Sequence, residues 1–292
     1  MEKEIHKPVL LEEVIDNLDI QPSDIVVDAT FGFGGHSREM LKHLTSGKII
    51  GIEKDVEVLD QSKGDFNDER IILVNDDFGN INEILGELKI KKVDKTLFDL
   101  GISSYHFDSS GRGFTFKKDE PLDMRLDKNL SVTAADLVNG MSRDELADLF
   151  YTLADEGYSR QIAKEIVETR HKKKFETTFE LAQTVARVKR QTGKIHPATK
   201  VFQALRIAVN NELEILKKTL PKAIDLLNKN GRIAVISFHS GEDRIVKNIF
   251  KTLAKEKKID ILTKKPIVAQ EIEIKENPRS RSAKFRVVKR RD

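Results

Sequence analysis

The stretch that decides the fold is Ile25-Val26-Val27-Asp28-Ala29-Thr30-Phe31-Gly32-Phe33-Gly34-Gly35-His36-Ser37, near the start of a 292-residue chain. Its first five residues form a short apolar run typical of a buried strand, and a glycine-rich turn and a helix from about Ser37 follow. Glycines between a strand and a helix let the backbone adopt positive φ and approach a ligand closely. The turn is therefore predicted to be either a ligand-binding loop or a packing turn without a ligand.

Strand-like and helix-like segments alternate on the C-terminal side of this turn. The further predicted strands are Lys48–Glu53, Arg70–Asn75, Lys95–Leu100, Arg232–Phe238, Ile259–Thr263 and Ala283–Val288. Strands rich in Val and Ile that alternate with amphipathic segments imply right-handed crossovers and a parallel sheet. The sequence therefore predicts an α/β fold.

The pattern changes after the fourth predicted strand. Residues 107–198 contain no convincing buried strand, but a loop rich in Gly, Asp and Pro followed by helical patterns. After Pro197, apolar residues at steps of three and four predict one long helix from about Thr199 to Leu220. We therefore predict a sheet domain formed by residues 1–106 and 199–292, interrupted by an inserted helical domain, 107–198.

Composition narrows the classes of function. The chain has no Cys, which excludes disulfides, thiolate metal sites and cysteine nucleophiles. No spacing such as HExxH occurs either, so no metal site is predicted. The N-terminus is charged, and the longest apolar run, Ile233–Phe238, is far too short to span a bilayer. We expect no signal peptide and no membrane anchor, and hence a cytoplasmic protein.

Basic residues concentrate in two regions, although the net charge is only +3. Residues 278–292 carry seven Lys or Arg, and residues 170–200 carry nine. Such regions are typical of proteins that bind an anionic partner such as nucleic acid. The alternative is a solvated tail and a solvated helix face.

Two carboxylates favour S-adenosylmethionine over a dinucleotide as the ligand of the glycine turn. Glu53 ends the second predicted strand, where a carboxylate can accept hydrogen bonds from ribose hydroxyls. Asp28 lies beneath the turn, where it would repel a pyrophosphate but suits an ammonium group. The turn also lacks the third glycine of the dinucleotide fingerprint. Phe78 and Asp77 are expected to contact adenine. The alternative is that Phe78 lies in the core and that Asp77 caps the next helix.

The fourth and fifth predicted strands end in polar residues, and the carboxyl ends of such strands meet at the ligand-binding edge of an α/β sheet. Asp99 is the candidate catalytic acceptor, since a carboxylate that accepts an N–H bond from an exocyclic amine would localise the nitrogen lone pair and later take the proton. Its alternative is a structural or cofactor-binding carboxylate. His239 and Ser240 are further catalytic candidates, with a strand-end histidine and a helix cap as the alternatives.

One polar face of the predicted long helix carries Gln203, Arg206 and Asn210 at steps of three and four. These three residues are candidate substrate contacts. The alternative is that this face is solvated.

The chain resembles the bacterial 16S rRNA cytosine-N4 methyltransferase family over nearly its whole length. The motifs that carry the resemblance are His6–Leu11, Thr30–Ser37, Asp99–Ser104, Arg112–Phe114, Pro121–Arg125, His196–Thr199, Phe202–Ile207, Phe238–Arg244 and Arg281–Lys284. Two motifs depart from the family pattern. Tyr105-His106 stands where the family has Pro-Gln, and Gly241 stands where the family has Leu.

The resemblance implies a class I (Rossmann-like) methyltransferase sheet with an inserted helical domain that recognises the substrate. It implies N4-methylation of a cytidine in the decoding centre (P site) of 16S rRNA, with S-adenosylmethionine as the methyl donor. The partner would be 16S rRNA within an assembled small ribosomal subunit, and a homodimer is left open. By matched positions the implied cofactor-binding residues are Gly34, Gly35, His36, Glu53, Phe78, Asp99 and His106. Arg112 becomes a further candidate substrate contact.

Two other functions compete with this one. The chain could be a methyltransferase for a protein or a small molecule, or an RNA-binding assembly factor that keeps the fold without catalysis. The two basic regions favour RNA over a small substrate.

Overall fold

The computed structural model describes residues 8–191 and 195–291, which form two compact units. The first unit is the chain up to Ile102 together with the chain from Leu213 onward, and the second unit is Ser103–Glu212. His6 and Lys7, which open the first matched motif, lie outside the described residues. No helix within the described ranges has the length and apolarity needed to cross a membrane.

Strands and helices alternate over the first hundred residues, and helices alone follow up to Leu226. The strands are β1 Ile25–Asp28, β2 Lys48–Glu53, β3 Ile71–Asn75, β4 Val93–Asp99, β5 Leu227–Ser237, β6 Ile259–Ile261 and β7 Lys284–Arg290. The helices are α1 Leu11–Leu18, α2 Gly35–Leu41, α3 Val56–Lys63, α4 Ile81–Glu87, α5 Ser104–Asp108, α6 Ala134–Gly140, α7 Arg143–Ala154, α8 Ser159–Arg170, α9 Thr178–Val188, α10 Thr199–Asn210, α11 Glu212–Leu226, α12 Ser240–Lys255 and α13 Glu271–Glu276.

The described strands form one seven-stranded sheet in the order β3-β2-β1-β4-β5-β7-β6. The strands from β3 to β5 are parallel, and β7 runs antiparallel to both of its neighbours. The strand order reverses between β1 and β4, which creates a topological switch point at their carboxyl ends. The predicted α/β fold with a class I methyltransferase sheet is confirmed.

Apolar layers cover both faces of this sheet. Successive strand residues point to opposite faces, so Val26 and Val27 belong to different layers. Val27 and Phe98 lie in the layer formed with α4, α11 and α12, whereas Val26 and Leu97 lie in the layer formed with α1 and α2. These strands are buried on both sides, which explains why they read as continuous apolar runs. The layers hold the ends of β1 and β4 in fixed positions.

The long helix predicted from about Thr199 to Leu220 is two helices. Helix α10 ends at Asn210 and α11 begins at Glu212, because Asn211 between them is left-handed, with φ 52°. Asn tolerates this conformation better than most residues, and the apolar spacing continues across the single break. The boundary between the two units in the sequence lies beside this break. Residues 199–212 therefore belong to the second unit, although they were predicted to belong to the sheet domain.

Strand β5 begins earlier than predicted. Val93 of β4 pairs with Leu227, but Lys95 pairs with Arg232, so the extra residues of β5 form an irregularity between these pairs. Asn230 within it has φ 65°. The dipeptide Asn230-Gly231, of a kind that usually ends a helix, therefore lies inside a strand.

The basic C-terminal region is not a solvated tail. It forms β7, which is paired on both sides. Arg286 is buried, and its Nε donates to Asp243 Oδ1 at 2.7 Å. Arg290 Nη1 donates to the carbonyl oxygens of Ile224 and Leu227. Much of the positive charge in this region therefore stabilises the fold, and the interpretation as a solvated tail is wrong.

The second unit is helical, as the sequence predicts. Helix α7 packs on α8 and α10, and α8 packs on α9. Its core residues include Leu146, Phe150, Ile162, Ile166 and Leu181, all fully buried. The segment Arg112–Met124 is attached to this core, since Asp123 O accepts a hydrogen bond from the N–H of Ala134.

Removing Asp243 should destabilise the protein markedly. Burial alone would raise the pKa of Asp243, but the hydrogen bond from Arg286 and the charges of Arg286 and Lys284 lower it. Asp243→Ala would leave Arg286 buried without its partner, and we expect the free energy of unfolding to fall by about 3 kcal/mol. Urea denaturation measures this change. Arg281→Ala, at an exposed position in the same basic region, is the control and should change stability by less than about 0.5 kcal/mol.

The pair also has a pH signature. Because the folded state lowers the pKa of Asp243, its contribution is present above the ordinary pKa of 3.8 and is lost as the pH falls through the folded-state value. Equal unfolding midpoints for the wild type and Asp243→Ala at neutral pH would contradict a stabilising role for the pair.

Candidate cofactor and catalytic site

The glycine turn between β1 and α2 has two left-handed residues. Gly32 has φ 57° and Gly34 has φ 69°. A Cβ at Gly34 would lie 2.3 Å from Cζ of Phe66 and 2.6 Å from Cζ of Phe31. Close packing alone therefore accounts for a glycine at position 34. The observations that favour a ligand are the polar groups around the turn. A Cβ at Gly32 would meet no atom closer than 3.9 Å. A glycine is therefore favoured at this position by the left-handed backbone conformation and not by lack of space.

Glu53 ties the end of β2 to the glycine turn. Its Oε2 accepts a hydrogen bond from the N–H of Gly32 at 2.9 Å, and its Oε1 accepts one from the N–H of Asp55 at 2.8 Å. Burial raises the pKa of Glu53 to about 7, although both hydrogen bonds work against this rise. Each carboxylate oxygen has a second lone pair, so Glu53 retains the capacity to accept bonds from a ligand.

Asp28 lies at the end of β1 and is almost fully buried. Its Oδ2 accepts a hydrogen bond from Ser37 Oγ at 2.6 Å, which joins the strand to α2. Burial raises the pKa of Asp28 to about 6. A carboxyl group in this position is stabilised in its ionised form by a cation, which agrees with the expectation that it lies near an ammonium group.

Asp99 ends β4, next to β1. Its N–H donates to Thr30 Oγ1 at 2.7 Å, so the backbone of this strand end is fixed to the glycine turn. Oδ1 of Asp99 is buried and has no hydrogen-bond partner among the described residues. Burial, and then the charges of Asp28 and Glu242, raise the pKa of Asp99 well above its usual value. Buried polar atoms are rarely left unpaired in native structures, so Oδ1 is suited to accept a bond from a ligand.

His36 is buried beside Asp99. Its Nε2 donates to the carbonyl oxygen of Val9 at 3.0 Å, and its Nδ1 lies 3.6 Å from Oδ2 of Asp99. The side chain therefore connects the segment before α1 to the end of β4. Cofactor binding by His36 stays a prediction.

The N-cap residue of α12 is His239 and not Ser240. Nδ1 of His239 accepts a hydrogen bond from the N–H of Glu242 at 3.4 Å, and Oε2 of Glu242 accepts one in return from the N–H of His239 at 3.2 Å. Ser240 is exposed in the first turn, so the cap suggested by the sequence is shifted by one residue. Gly241 leaves room for the imidazole, since a Cβ there would lie 3.1 Å from Nδ1. Catalysis by His239 or Ser240 stays a prediction.

Phe78 and Asp77 make the contacts of the structural alternative. The ring of Phe78 packs edge-to-face on Phe98, with 5.5 Å between the ring centres. Oδ1 of Asp77 accepts a hydrogen bond from the N–H of Gly79 at 2.7 Å, and Oδ2 lies 2.7 Å from Lys54 Nζ. Asp77 is therefore both a cap and an ion-pair partner. Phe78 is only partly buried, and its contact with adenine stays a prediction.

His106 and Arg112 belong to the second unit, where both are buried. Nδ1 of His106 lies 2.9 Å from Ser103 Oγ and caps α5 together with this residue. Nη1 of Arg112 donates to the carbonyl oxygens of Arg125 and Leu126 at 3.0 and 3.1 Å. These bonds give Arg112 a role in holding its own loop, and its contact with the substrate stays a prediction.

The polar face of α10 is turned mostly inward. Asn210 is buried, donates to Met124 O at 2.8 Å and accepts from the N–H of Leu126 at 2.8 Å. Arg206 makes two hydrogen bonds of 2.8 Å to the carboxylate of Glu212. A solvated or substrate-binding position is therefore wrong for Asn210. Gln203 is half-buried, and its substrate contact stays a prediction.

Comparison with known proteins gives the family. The model of the MraW methylase family matches residues 3–291. The chain belongs to this family. A protein from Dictyoglomus thermophilum named Ribosomal RNA small subunit methyltransferase H is 48% identical over 292 residues, which cover 99% of this chain and 97% of that protein. A protein of the same name from Persephonella marina is 48% identical over 290 residues, covering 98% and 99%.

A more distant likeness is to a solved structure, an rRNA methylase from Streptococcus thermophilus. It has a TM-score of 0.43 and 11% sequence identity, and the alignment covers 97% of this chain and 94% of that one.

Membership of the MraW methylase family confirms the predicted class of enzyme, a methyltransferase dependent on S-adenosylmethionine. The polar groups at the edge of the sheet fit this cofactor, since Asp28 is buried, Asp99 is partly buried, and both carboxyl groups have raised pKa values. In addition, Oδ1 of Asp99 has no hydrogen-bond partner among the described residues. The contacts of Thr30, Ser37 and Glu242 were not predicted from the sequence. The first two lie at the ends of the matched motif Thr30–Ser37, which was the only available signal.

The raised pKa of Asp28 predicts a loss of stability as the pH rises. Between pH 3.8 and about 6 the folded state holds a proton that the unfolded state has released, so the free energy of unfolding falls by up to about 1.4 kcal/mol per pH unit. Asp28→Asn, which can still accept the bond from Ser37, should remove this contribution. Urea denaturation from pH 4.5 to 6.5 should therefore show the wild type losing stability relative to Asp28→Asn.

Asp65→Asn is the matched control, because Asp65 is exposed and its variant should follow the wild-type pH dependence. If the curves for the wild type and Asp28→Asn run parallel, Asp28 ionises in the folded state as it does in the unfolded state.

Proposed function

We propose that the chain transfers a methyl group from S-adenosylmethionine to N4 of a cytidine in the decoding centre (P site) of 16S rRNA. The relatives described above are named for small-subunit ribosomal RNA, which supports RNA as the substrate. The observation that carries the chemistry is the unpartnered, buried Oδ1 of Asp99 at the carboxyl end of β4. This is the edge at which open α/β sheets bind ligands.

The residues of the first unit divide the binding of the cofactor between them. Glu53 holds the ribose hydroxyls through the lone pairs that Gly32 and Asp55 leave available. Asp28 and Asp99 provide negative charge for the cationic end of the molecule, and Phe78 borders the adenine. When bound, S-adenosylmethionine supplies an electrophilic methyl group on a positively charged sulfur.

Asp99 is the group that activates the nitrogen of the substrate. The lone pair of the cytosine amino group is delocalised into the ring, so the nitrogen is a weak nucleophile. Oδ1 accepts one N–H of this amine, localises the lone pair and receives the proton that the amine loses. This requires an ionised carboxyl group, and a neighbouring cation lowers the pKa that burial has raised. Alignment of the two reactants supplies most of the remaining acceleration.

The second unit, with Gln203 as a candidate contact, recognises the RNA under this proposal. His106 and the two catalytic candidates His239 and Ser240 are assigned supporting roles, since all three lie at or beside the start of a helix. We propose 16S rRNA within an assembled small subunit as the partner, and the cytoplasm as the location.

Glu53→Ala should weaken the binding of S-adenosylmethionine strongly. The substitution removes an acceptor of the ribose hydroxyls and also releases the N–H of Gly32. Hydrogen bonds to charged groups contribute about 1.5–3 kcal/mol each, so we expect the dissociation constant to rise at least about tenfold. Isothermal titration calorimetry measures it, with exposed Glu87→Ala as the control. A dissociation constant that Glu53→Ala leaves unchanged would show that the ribose is held elsewhere.

Nucleoside analysis of 16S rRNA tests the reaction itself. Cells that lack the protein should lack N4-methylcytidine at the target, and the wild-type gene should restore it. Asp99→Asn keeps the shape of the side chain but cannot take the proton, so we expect it to lower the methylation rate by about 100-fold or more. Unchanged N4-methylcytidine in the deletion strain would rule out the proposed substrate, and methylation of a protein or small molecule would identify the competing enzyme class.

A further inference from the structure

Two lysine runs that are far apart in the sequence meet in the second unit. Thr178 Oγ1 donates to the carbonyl oxygen of Lys118 at 2.8 Å, and the N–H of Thr178 donates to Glu120 O at 2.9 Å. Pro121 forms a bridge with Thr177. The loop that carries Lys117 and Lys118 is therefore fastened to the start of α9. Three residues separate the run Lys172-Lys173-Lys174 from this start in the chain.

All five of these lysines are exposed, and together they define what we call the lysine surface: Lys117, Lys118, Lys172, Lys173 and Lys174. Lys117, Lys172 and Lys174 have no side-chain partner among the described residues. Lys118 Nζ donates only to a backbone carbonyl, that of Asp108. The surface therefore carries several positive charges that the fold does not neutralise.

The acidic residues near the lysine surface are few and partly engaged. Glu180 forms an ion pair with Lys173, and this contact is the main cause of the raised pKa of Lys173. Glu176 and Asp119 contribute to the same rise, which places both near the ammonium group. Oδ1 of Asp119 also accepts a hydrogen bond from the N–H of Phe179 at 3.3 Å. Of the five lysines, Lys173 alone forms an ion pair with an acid among the described residues.

Aromatic rings accompany the lysines. Phe179, in the first turn of α9, is 38% exposed. Phe116, the residue before Lys117, is half-buried and stacks on His196 with 4.5 Å between ring centres. Exposed aromatic rings among cationic side chains are typical of surfaces that bind single-stranded nucleic acid, because bases stack on the rings while lysines contact phosphates.

We infer that the lysine surface, with Phe179, binds the RNA strand that flanks the target cytidine. This inference rests on the proposed function, since it assigns the region of the second unit that holds the same substrate. It also separates this region from the basic C-terminal region, where Arg286 and Arg290 are bonded to groups within the fold. The contacts are to phosphates and base faces, so the surface binds RNA with little sequence preference, and the target is selected elsewhere.

The triple variant Lys117→Ala, Lys172→Ala and Lys174→Ala tests the inference. The probe is a single-stranded RNA oligonucleotide, and its affinity is measured at several salt concentrations. Each lysine that contacts a phosphate adds about 0.7–0.9 to the slope of log affinity against log salt, so the slope should fall by about 2–3. The matched control removes the exposed lysines Lys251, Lys255 and Lys264 of the first unit and should keep the wild-type slope.

Phe179→Ala should weaken RNA binding about tenfold without changing the salt slope, because stacking is not electrostatic. Phe179→Tyr keeps the ring and should restore the affinity. Binding of S-adenosylmethionine at wild-type strength by each variant would show that the first unit is folded, and circular dichroism would report on the second.

The outcomes separate this inference from the proposed function. A wild-type salt slope in the triple variant would overturn the inference, even if the wild type methylates 16S rRNA. Absence of methyl transfer by the wild type would overturn the proposed function, whereas the binding slopes would still decide whether the lysine surface holds RNA. Binding of polyglutamate as tight as that of RNA would overturn the choice of RNA and indicate an acidic protein as the partner.

Discussion

The burial, full or partial, of three carboxyl groups at one edge of the sheet is the constraint on which the rest of the site depends. Asp28, Glu53 and Asp99 end neighbouring strands, and burial raises the pKa of each. An isolated charge in such a position is costly, so the ionised forms require hydrogen-bond donors or a cation. Ser37 and the backbone N–H groups of the glycine turn supply part of what these groups need. A bound cation would supply the rest, since the same burial that opposes ionisation also favours a positively charged ligand.

The fold maintains this edge through contacts that run from strand end to strand end. Glu53 fixes the glycine turn to β2, and Thr30 fixes the same turn to β4. Behind them, apolar layers on both faces hold the strands in register. Strand β7 closes the other side of β5 and is held by the buried pair of Arg286 and Asp243. The site is therefore rigid because its members are attached to the sheet, and the glycine turn alone would not position them.

The sequence was sufficient to predict an element of the fold wherever the local pattern of residues determines its structure. Strand β2 has the predicted bounds, because a short apolar run marks it unambiguously. The break at Asn211 could not be seen, since the apolar spacing continues through a single left-handed residue. The cap of α12 was misplaced by one residue because His239 and Ser240 both precede an acidic side chain by three positions. The burial of Asn210 depends on a loop more than eighty residues away, which no local pattern contains.

Charge is the property for which sequence and structure differ most. Seven cations in the C-terminal region suggested a solvated or RNA-binding tail, yet Arg286 and Arg290 are bonded to groups within the fold. The lysine surface contains fewer charges, but three of its members have no side-chain partner among the described residues. Only charge that the protein does not neutralise is available to attract an anionic partner, so the number of basic residues in a stretch is a poor guide to its function. The C-terminal region and the lysine surface differ in long-range pairing. Asp243 lies 43 residues before Arg286 in the chain, and no local pattern in the sequence indicates that the two side chains meet.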